Sequence, residues 1–525
     1  MFLQNFFSIN PADINEVVLS EEDITLEQFL AVARHRAKVT FSEAFVARVK
    51  KSRAIIDRFL EENRLIYGVT TGFGENVRYV IPPEEAAELQ RNIVRSHACS
   101  VGKPLDEEQV RAIQLQMILN TGRGVSGISF ELIDLIRQTL NAGVTPYAPG
   151  DGSVGYLAVE GHLTLLLMGE GRAYYHGSLL DGAEALKQAG LTPVPLRCKE
   201  GLSLLNGSTS PTGLAVLAVY DALVAAKSLD IVGCVTFEAL KGTIMGCDER
   251  LHSVKRHREQ QETAGLMRKL LADSGIMAEN KHARVQDPYV LRCTPHLHGA
   301  GKRLLRQAFE NIWEESLSVC DNPIIYPGQG ASEDTALMGG NFDGSYVGGG
   351  ADMVCLGCGI LAKTSERRGD RMVNRFFNNG LPAFLVKKPG LNNGFMIPQY
   401  TAAGLVNEIK MLSFPASVDS VPTCANQEDP VSMAYTAAKK AYQVAEKLQY
   451  IVAIELMIAL QALDLAGDKP APSSVVDKLR VYIRKEVPTV DEDRYFEPDM
   501  ELLYQKIKSG EIITFTEAAT GRLPF

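Results

Sequence analysis

The sequence lacks any run of lysine and arginine, and its acidic side chains outnumber its basic ones. The 525 residues include 54 Lys and Arg against 63 Asp and Glu, which gives a net charge of −9 at pH 7. Because a negatively charged chain repels phosphate backbones, no nucleic-acid partner is expected. The first residues, MFLQNFF at 1–7, have no basic leader and no small-residue cleavage site, so no signal peptide is predicted.

The sequence also lacks a cysteine framework. Nine cysteines are scattered over the chain, and an odd, dispersed set is typical of reduced thiols in a cytoplasmic protein. Cys355 and Cys358 form a single C-x-x-C without a second pair, which favours buried thiols. His296 and His298 lie two residues apart with no third ligand nearby, so no metal is predicted.

Apolar stretches free of charge are also missing. The stretch 209–245 is largely apolar, but Asp221, Lys227 and Asp230 interrupt it. This pattern predicts a buried core helix and no membrane span. The stretch 430–466 behaves in the same way, with Pro430 suited to a helix start.

Strand signals are few and short, for example around 174–176, whereas helical signals dominate. Further helices are predicted at 301–320 and 350–368. Helices that are apolar on most faces have to be covered on most faces, so several of them in one chain indicate a bundle.

The composition places the chain among globular proteins, with 46% apolar and 22% charged residues. A length of 525 residues exceeds one ordinary core. The expected division is a small N-terminal α/β part at 1–205 with active-site loops, a central long-helix bundle at 206–470, and a C-terminal helical tail at 471–525. The fold class is predicted to be mainly α.

Polar, glycine-rich loops between the helices carry a series of short motifs. They read YGVTTGFG at 67–74, LQRN and SHA within 89–98, LNG at 205–207, QDPY and LRC within 286–293, SVCDNP at 318–323, GNF at 340–342, FMI at 395–397 and ANQED at 425–429. In this order and spacing the motifs resemble those of the aromatic amino-acid lyase superfamily, and most of all its histidine ammonia-lyase type.

The resemblance carries several implications. It implies the mainly α fold of the histidine and phenylalanine ammonia-lyases, with a long central helical bundle. It also implies a small amino-acid-like substrate and a homotetramer in which each active site draws loops from three subunits.

One segment departs from the family pattern. The family reads GSVGASGDL, and its Ala-Ser-Gly cyclises into an electrophilic methylidene-imidazolone, whereas this chain reads GSVGYLAVEGH at 152–162. Aligning Gly155 and His162 with the family removes those three residues, and the flanking positions are changed to Tyr156, Val159 and Glu160. The segment therefore predicts an enzyme that uses no cofactor.

Without an electrophile, the leaving group has to be a good one. Ammonia leaves badly, whereas a quaternary ammonium leaves as a neutral amine under acid–base catalysis alone. The expected reaction is elimination of trimethylamine from a histidine betaine, ergothioneine to thiourocanate, as in the ergothionase branch that the sequence resembles.

The resemblance assigns catalytic roles to three residues. Tyr67 matches the candidate base for the β-proton, and Tyr289 matches a second tyrosine that acts as acid, base or ring donor. Glu428 matches the residue that faces an imidazole-like ring. The alternatives are a packed loop tyrosine for Tyr67 and a helix N-terminal acid for Glu428.

The resemblance also assigns substrate-binding roles. Arg292 matches the clamp on the substrate carboxylate, for which a bidentate guanidinium is suited. The other matched positions are Asn206, Gln286, His97 and Phe342. The alternatives are a structural salt bridge for Arg292, loop bracing for the two amides, and core packing for His97 and Phe342.

Two other functions remain open from the sequence. One is an ordinary histidine ammonia-lyase that forms urocanate and ammonia, with the three cofactor residues absent only from the recorded sequence. The other is an inactive relative that binds a small molecule. Retention of Tyr67, Asn206, Tyr289, Arg292 and Glu428 together argues against an inactive relative.

Overall fold

The computed structural model describes residues 9–467 and 470–525, and helices dominate them. The α-helices are α1 Leu26–His35, α2 Glu43–Glu61, α3 Ala86–His97, α4 Glu107–Thr121, α5 Phe130–Ala142, α6 Ala158–Leu167, α7 Gly182–Gln188, α8 Glu200–Leu205, α9 Thr209–Ala239, α10 Glu249–Ser253, α11 Arg258–Leu270, α12 Gly275–Glu279, α13 Tyr289–Arg292, α14 Thr294–Ser316, α15 Ser345–Val373, α16 Met396–Leu412, α17 Ala434–Ala466, α18 Ser474–Arg484, α19 Glu497–Lys508 and α20 Glu511–Thr520. The predicted mainly α fold is confirmed.

The strands are short and form four small sheets. They are β1 Glu16–Leu19, β2 Lys38–Phe41, β3 Val101–Pro104, β4 Thr145–Pro146, β5 Pro149–Asp151, β6 Arg172–Tyr175, β7 Ser178–Asp181, β8 Ile324–Tyr326 and β9 Thr335–Leu337. β1 pairs with β2 in parallel, and β3–β5, β4–β6–β7 and β8–β9 are antiparallel. Seven of these nine strands lie within the first 205 residues, which gives the N-terminal part its α/β character.

The long helices α9, α14, α15 and α17 pack against one another as the central bundle. Every residue of α9 is buried, because its alanine, valine and leucine side chains cover all faces of the helix. Within residues 9–467 and 470–525, two helices, α15 and α17, are long and apolar enough to cross a membrane by length and composition. Most of each apolar stretch is buried inside the protein, as in the core helices of a globular fold.

A buried charge network joins the four bundle helices. Asp230 on α9 accepts hydrogen bonds from His298 Nδ1 at 2.7 Å and from Lys302 Nζ at 2.8 Å. Arg368 on α15 bonds His298 Nε2 at 2.9 Å and donates to both oxygens of Glu455 on α17. Burial lowers the pKa of His298, so its imidazole is neutral. Two carboxylates therefore balance two cations in a site without solvent exposure.

Candidate active site

A cavity of about 400 Å³ lies among N-terminal loops, α3 and the loops that precede the bundle helices α9, α15 and α17. Its walls come from the loop after α2, the last turns of α3, the turn before α6, the end of α8, and the loops before α15 and α17. The lining residues are Tyr67, Phe73, Gly74, Asn76, Leu89, Asn92, Ile93, Ser96, His97, Tyr156, Leu157, Leu202, Asn206, Asn322, Phe342, Cys424 and Glu428. Five of the predicted site residues therefore share one cavity.

Tyr67 is held by its own loop. Its hydroxyl accepts a hydrogen bond from the Gly74 backbone N–H at 2.8 Å, and its ring makes an edge contact with Phe73 at 6.4 Å. Gly74 has φ +54°, and a side chain there would collide with the thiol of Cys424. Burial raises the pKa of Tyr67, the Gly74 N–H opposes that rise, and the negative charge of Glu428 adds to it.

Glu428 closes a tight, strained loop. Its Oε2 accepts from Thr423 Oγ1 at 3.1 Å, and the two backbones pair across the loop. Between them Cys424, Ala425 and Asn426 have φ values of 49°, 53° and 67°. Three consecutive non-glycine residues in the left-handed region cost energy, and such strain concentrates at binding and catalytic sites.

His97 ends α3 at the cavity wall. Burial lowers its pKa, so the ring is neutral near pH 7 and has one nitrogen that can accept a hydrogen bond. Its Nδ1 lies 3.0 Å from Ser96 Oγ. A neutral histidine here can donate or accept toward a ligand without adding charge.

Asn206 and Phe342 also form part of the cavity wall. Asn206 Nδ2 donates to the backbone oxygen of Asn322 at 3.0 Å. Phe342 makes an edge contact with Tyr156, with ring centroids 5.8 Å apart and planes at 81°. Phe342 therefore packs against another cavity residue and lines the cavity itself.

A buried ion pair fixes the backbone next to Asn206. Lys199 Nζ lies 2.7 Å from Asp321 Oδ2 and 2.9 Å from Ser203 Oγ, and the Lys199 and Asp321 side chains have no solvent exposure. Asp321 Oδ1 accepts from the Asn322 N–H at 2.7 Å. The pair thereby fixes the backbone whose carbonyl holds Asn206.

Gln286, Tyr289 and Arg292 do not line this cavity. They lie on or just before α13, where Tyr289 is 71% exposed and the Arg292 guanidinium sits over its ring at 4.5 Å. Arg292 Nε donates to the Asp287 carbonyl at 2.9 Å. Within one chain the structure does not bring these three residues to the other five.

Asn322 and Cys424 are among the cavity residues for which no role was predicted. Asn322 lies inside the SVCDNP motif, and Cys424 directly precedes ANQED, so the available signal was membership of a motif or adjacency to one. Tyr156 was noted only as a changed position, and it lies in the cavity wall with 5% exposure.

The turn at 155–158 bears on the cofactor. Gly155 has φ +144°, and a side chain there would collide with Ser432 Oγ. Tyr156 and Leu157 follow it directly, and Leu157 N–H bonds the Leu205 carbonyl at 3.2 Å. Tyr156, Leu157 and Ala158 cannot supply the Ala-Ser-Gly atoms from which an imidazolone forms.

Comparison with known proteins identifies the family. The sequence model of the aromatic amino acid lyases matches residues 24–485. Histidine ammonia-lyase 1 of Fusobacterium nucleatum is 42% identical over 518 residues, with 98% of this chain and 99% of that one covered. The crystal structure of histidine ammonia-lyase from Trypanosoma cruzi matches with a TM-score of 0.89 at 34% identity, covering 97% of this chain and 96% of that one.

The ergothionase of Treponema denticola, solved with desmethyl-ergothioneine sulfonic acid, shares the fold at a lower identity. Its TM-score is 0.86 at 27% identity, covering 95% of this chain and 99% of that one.

These findings correct two predictions. Trimethylamine elimination from a histidine betaine is wrong as the main function, because relatives 40–42% identical over nearly the whole chain are named histidine ammonia-lyases. The prediction of no cofactor is contradicted by the same relatives, because ammonia release is the reaction for which the family resemblance implies the electrophile.

With nearly its whole length matched in sequence and in fold, the chain belongs to the aromatic amino acid lyase family and is a carbon–nitrogen lyase.

Proposed function

We propose that the protein is a histidine ammonia-lyase, which converts histidine to urocanate and ammonia in the cytoplasm. The observation that carries the proposal is the cavity in which Tyr67, His97 and Glu428 lie together, in a chain 42% identical to a histidine ammonia-lyase. An acceptor carboxylate and a neutral histidine suit the polar ring of histidine better than an apolar ring.

The reaction removes a proton from Cβ and ammonia from Cα. The electron pair of the Cβ–H bond becomes the new double bond, the pair of the Cα–N bond leaves with the protonated amino group as neutral ammonia, and a base takes the Cβ proton. Tyr67 is the proposed base, Tyr289 is the second acid or base, and Glu428 holds the imidazole N–H. His97, Asn206 and Phe342 complete the binding surface.

Arg292 and Gln286 are proposed to reach the site from neighbouring copies in a homotetramer. Support comes from large apolar side chains that the isolated chain leaves exposed by half or more, namely Tyr289, Phe376, Leu391, Met411 and Phe414. Exposed apolar surface on this scale marks protein–protein contacts. Arg292 then has a guanidinium ready to pair with the substrate carboxylate.

The test is turnover of histidine by the purified protein, followed by the ultraviolet absorbance of the conjugated acrylate, with ergothioneine in a parallel reaction. We expect urocanate and one equivalent of ammonia from histidine. A conjugated product with trimethylamine from ergothioneine alone, or no product from either compound, would contradict the proposal.

A further inference from the structure

The turn that carries Tyr156 is strained. Leu157 has φ 76° and ψ −61°, and the Ala158 N–H bonds the Tyr156 carbonyl at 3.0 Å, which makes a γ-turn with positive φ. This conformation is rare for any residue with a side chain. Backbone strain of this kind persists where the surrounding structure enforces it, and it concentrates at binding and catalytic sites.

The surroundings fix the turn at both ends. Ser153 Oγ donates to the Tyr156 carbonyl at 3.2 Å, and Leu157 N–H bonds the end of α8 next to Asn206. The Tyr156 ring rests on the edge of Phe342, so its position is set by packing as well. The strain therefore serves to hold one aromatic side chain in the cavity wall.

The hydroxyl of Tyr156 is left without a partner. Within residues 9–467 and 470–525 it makes no hydrogen bond, and its oxygen is not fully buried. Burial raises the pKa of Tyr156, and among the nearby charges that add to the rise Glu428 contributes most. The phenol therefore keeps its proton at neutral pH and is available as a donor.

Glu428 and Tyr156 offer opposite hydrogen-bonding groups to the same cavity. An ionised carboxylate only accepts, and a phenol that keeps its proton can donate. A neutral imidazole carries one N–H and one unprotonated nitrogen, so it can satisfy both groups at once. A phenyl ring satisfies neither.

We infer that Tyr156 is a substrate-binding residue that donates a hydrogen bond to the unprotonated imidazole nitrogen while Glu428 accepts from the N–H. Tyr156 thereby selects an imidazole ring over a phenyl ring. The inference rests on the proposed function, because it places the histidine side chain in this cavity.

The experiment measures binding by calorimetry in three proteins: the wild type, Tyr156→Phe and the control Tyr174→Phe. Tyr156→Phe keeps the ring that packs on Phe342 and removes only the hydroxyl. Tyr174 lies on β6, where its ring contacts Tyr147, outside the cavity. The two ligands are urocanate, which has the imidazole, and cinnamate, which has a phenyl ring.

We expect Tyr156→Phe to bind urocanate about three- to tenfold more weakly, the loss of one hydrogen bond, and to bind cinnamate unchanged or better. Tyr174→Phe should match the wild type with both ligands. The KM for histidine should rise by a similar factor in Tyr156→Phe.

Unchanged urocanate affinity in Tyr156→Phe overturns the inference, and so does an equal loss for both ligands, which would indicate packing alone. If the wild type forms urocanate while Tyr156→Phe behaves like it, only this inference fails. If the wild type neither binds urocanate nor forms it, the inference and the proposed function fail together.

Discussion

The surroundings of Tyr67 change its pKa in opposite directions. Burial and the nearby Glu428 carboxylate raise its pKa, while the Gly74 N–H stabilises the phenolate. Because the rise prevails, the phenol is mostly protonated at neutral pH. A base in this state gives a rate that increases as the solution becomes more alkaline.

Replacement of the hydroxyl should therefore remove catalysis and leave the fold. We expect Tyr67→Phe to lower kcat on histidine by about 100-fold or more, the usual contribution of general base catalysis. In the wild type, kcat/KM should rise with pH above 7. Stopped assays of both proteins across pH, with circular dichroism to verify folding, measure this. Full activity of Tyr67→Phe would show that another residue takes the proton.

At the scale of single residues, the motifs brought five of the eight predicted site residues to one cavity. Tyr67, His97, Asn206, Phe342 and Glu428 line one cavity, while their catalytic roles stay predictions. Asn322 and Cys424 were missed, because their exposure to the cavity depends on a carbonyl held by a buried ion pair and on three left-handed residues. Neither feature is visible in sequence spacing.

At the scale of elements, the start of α9 binds a buried carboxyl group with a raised pKa. Glu160 on α6 is fully buried, and its Oε1 accepts from the Ser210 N–H at 2.8 Å and from Thr209 Oγ1 at 3.1 Å. Burial raises the pKa of Glu160 to about 7, although these hydrogen bonds oppose the rise. The other oxygen has no hydrogen-bond partner in the described part of the chain.

This carboxyl makes stability depend on pH. Above about pH 4.5 the unfolded chain loses the Glu160 proton while the folded chain keeps it to about pH 7, so folding stability falls across that range and then levels off. Glu160→Gln should remove this pH dependence of the folding stability. We expect a gain on the order of 3 kcal/mol at pH 8, since each pKa unit between about 4.5 and about 7 corresponds to about 1.4 kcal/mol, and little change at pH 4.5.

Urea unfolding at the two pH values measures the difference. Glu131→Gln, an exposed position on α5, is the matched control and should leave stability unchanged at both pH values. The quantity compared is the stability gain of Glu160→Gln over the wild type. A gain at pH 8 that is no larger than the gain at pH 4.5 would show that the carboxyl is already ionised in the folded protein.

Apolar periodicity predicted that the long helices exist, but it predicted the residues at which they begin and end less well. The stretch 430–466 became α17, but the helix begins at Ala434 instead of Pro430. Met433 has φ 52° and ψ 20°, so it precedes the helix in a left-handed conformation that no sequence rule anticipates. The division of the chain at residues 205 and 470 stays a prediction.

For the whole molecule, a shared active site makes a distinctive prediction about mixed assemblies. Tyr67→Phe and Arg292→Ala should each be inactive alone. If Tyr67 and Arg292 reach one site from different copies, refolding the two variants together should restore roughly a quarter of the sites by random assembly. Turnover of histidine before and after mixing, with the mass of the assembly from light scattering, measures this.

A second mixture supplies the control. Tyr67 and Glu428 line the same cavity of one chain, so Tyr67→Phe mixed with Glu428→Gln should recover no sites. Equal recovery in both mixtures, or none in either, would contradict the sharing of sites between copies.

The proposed approach of Gln286, Tyr289 and Arg292 to the other five residues follows from no argument based on spacing. Their positions in the isolated chain, on α13 with Tyr289 largely exposed, show why. A contact between copies depends on surface shape, and apolar periodicity reports only the core of one chain.

The buried network of Asp230, His298, Lys302, Arg368 and Glu455 has a consequence for how relatives of this protein can diverge. Removing one charged member leaves a buried charge without its partner, which costs about 3–5 kcal/mol, and removing His298 takes a hydrogen-bond partner from Asp230 and Arg368; replacing the whole set by apolar side chains can be neutral. Single substitutions in the network are therefore strongly destabilising, whereas joint substitutions of the whole set can be tolerated. Among descendants of one ancestor, these five positions should be kept or lost as a block, and intermediate combinations should be rare.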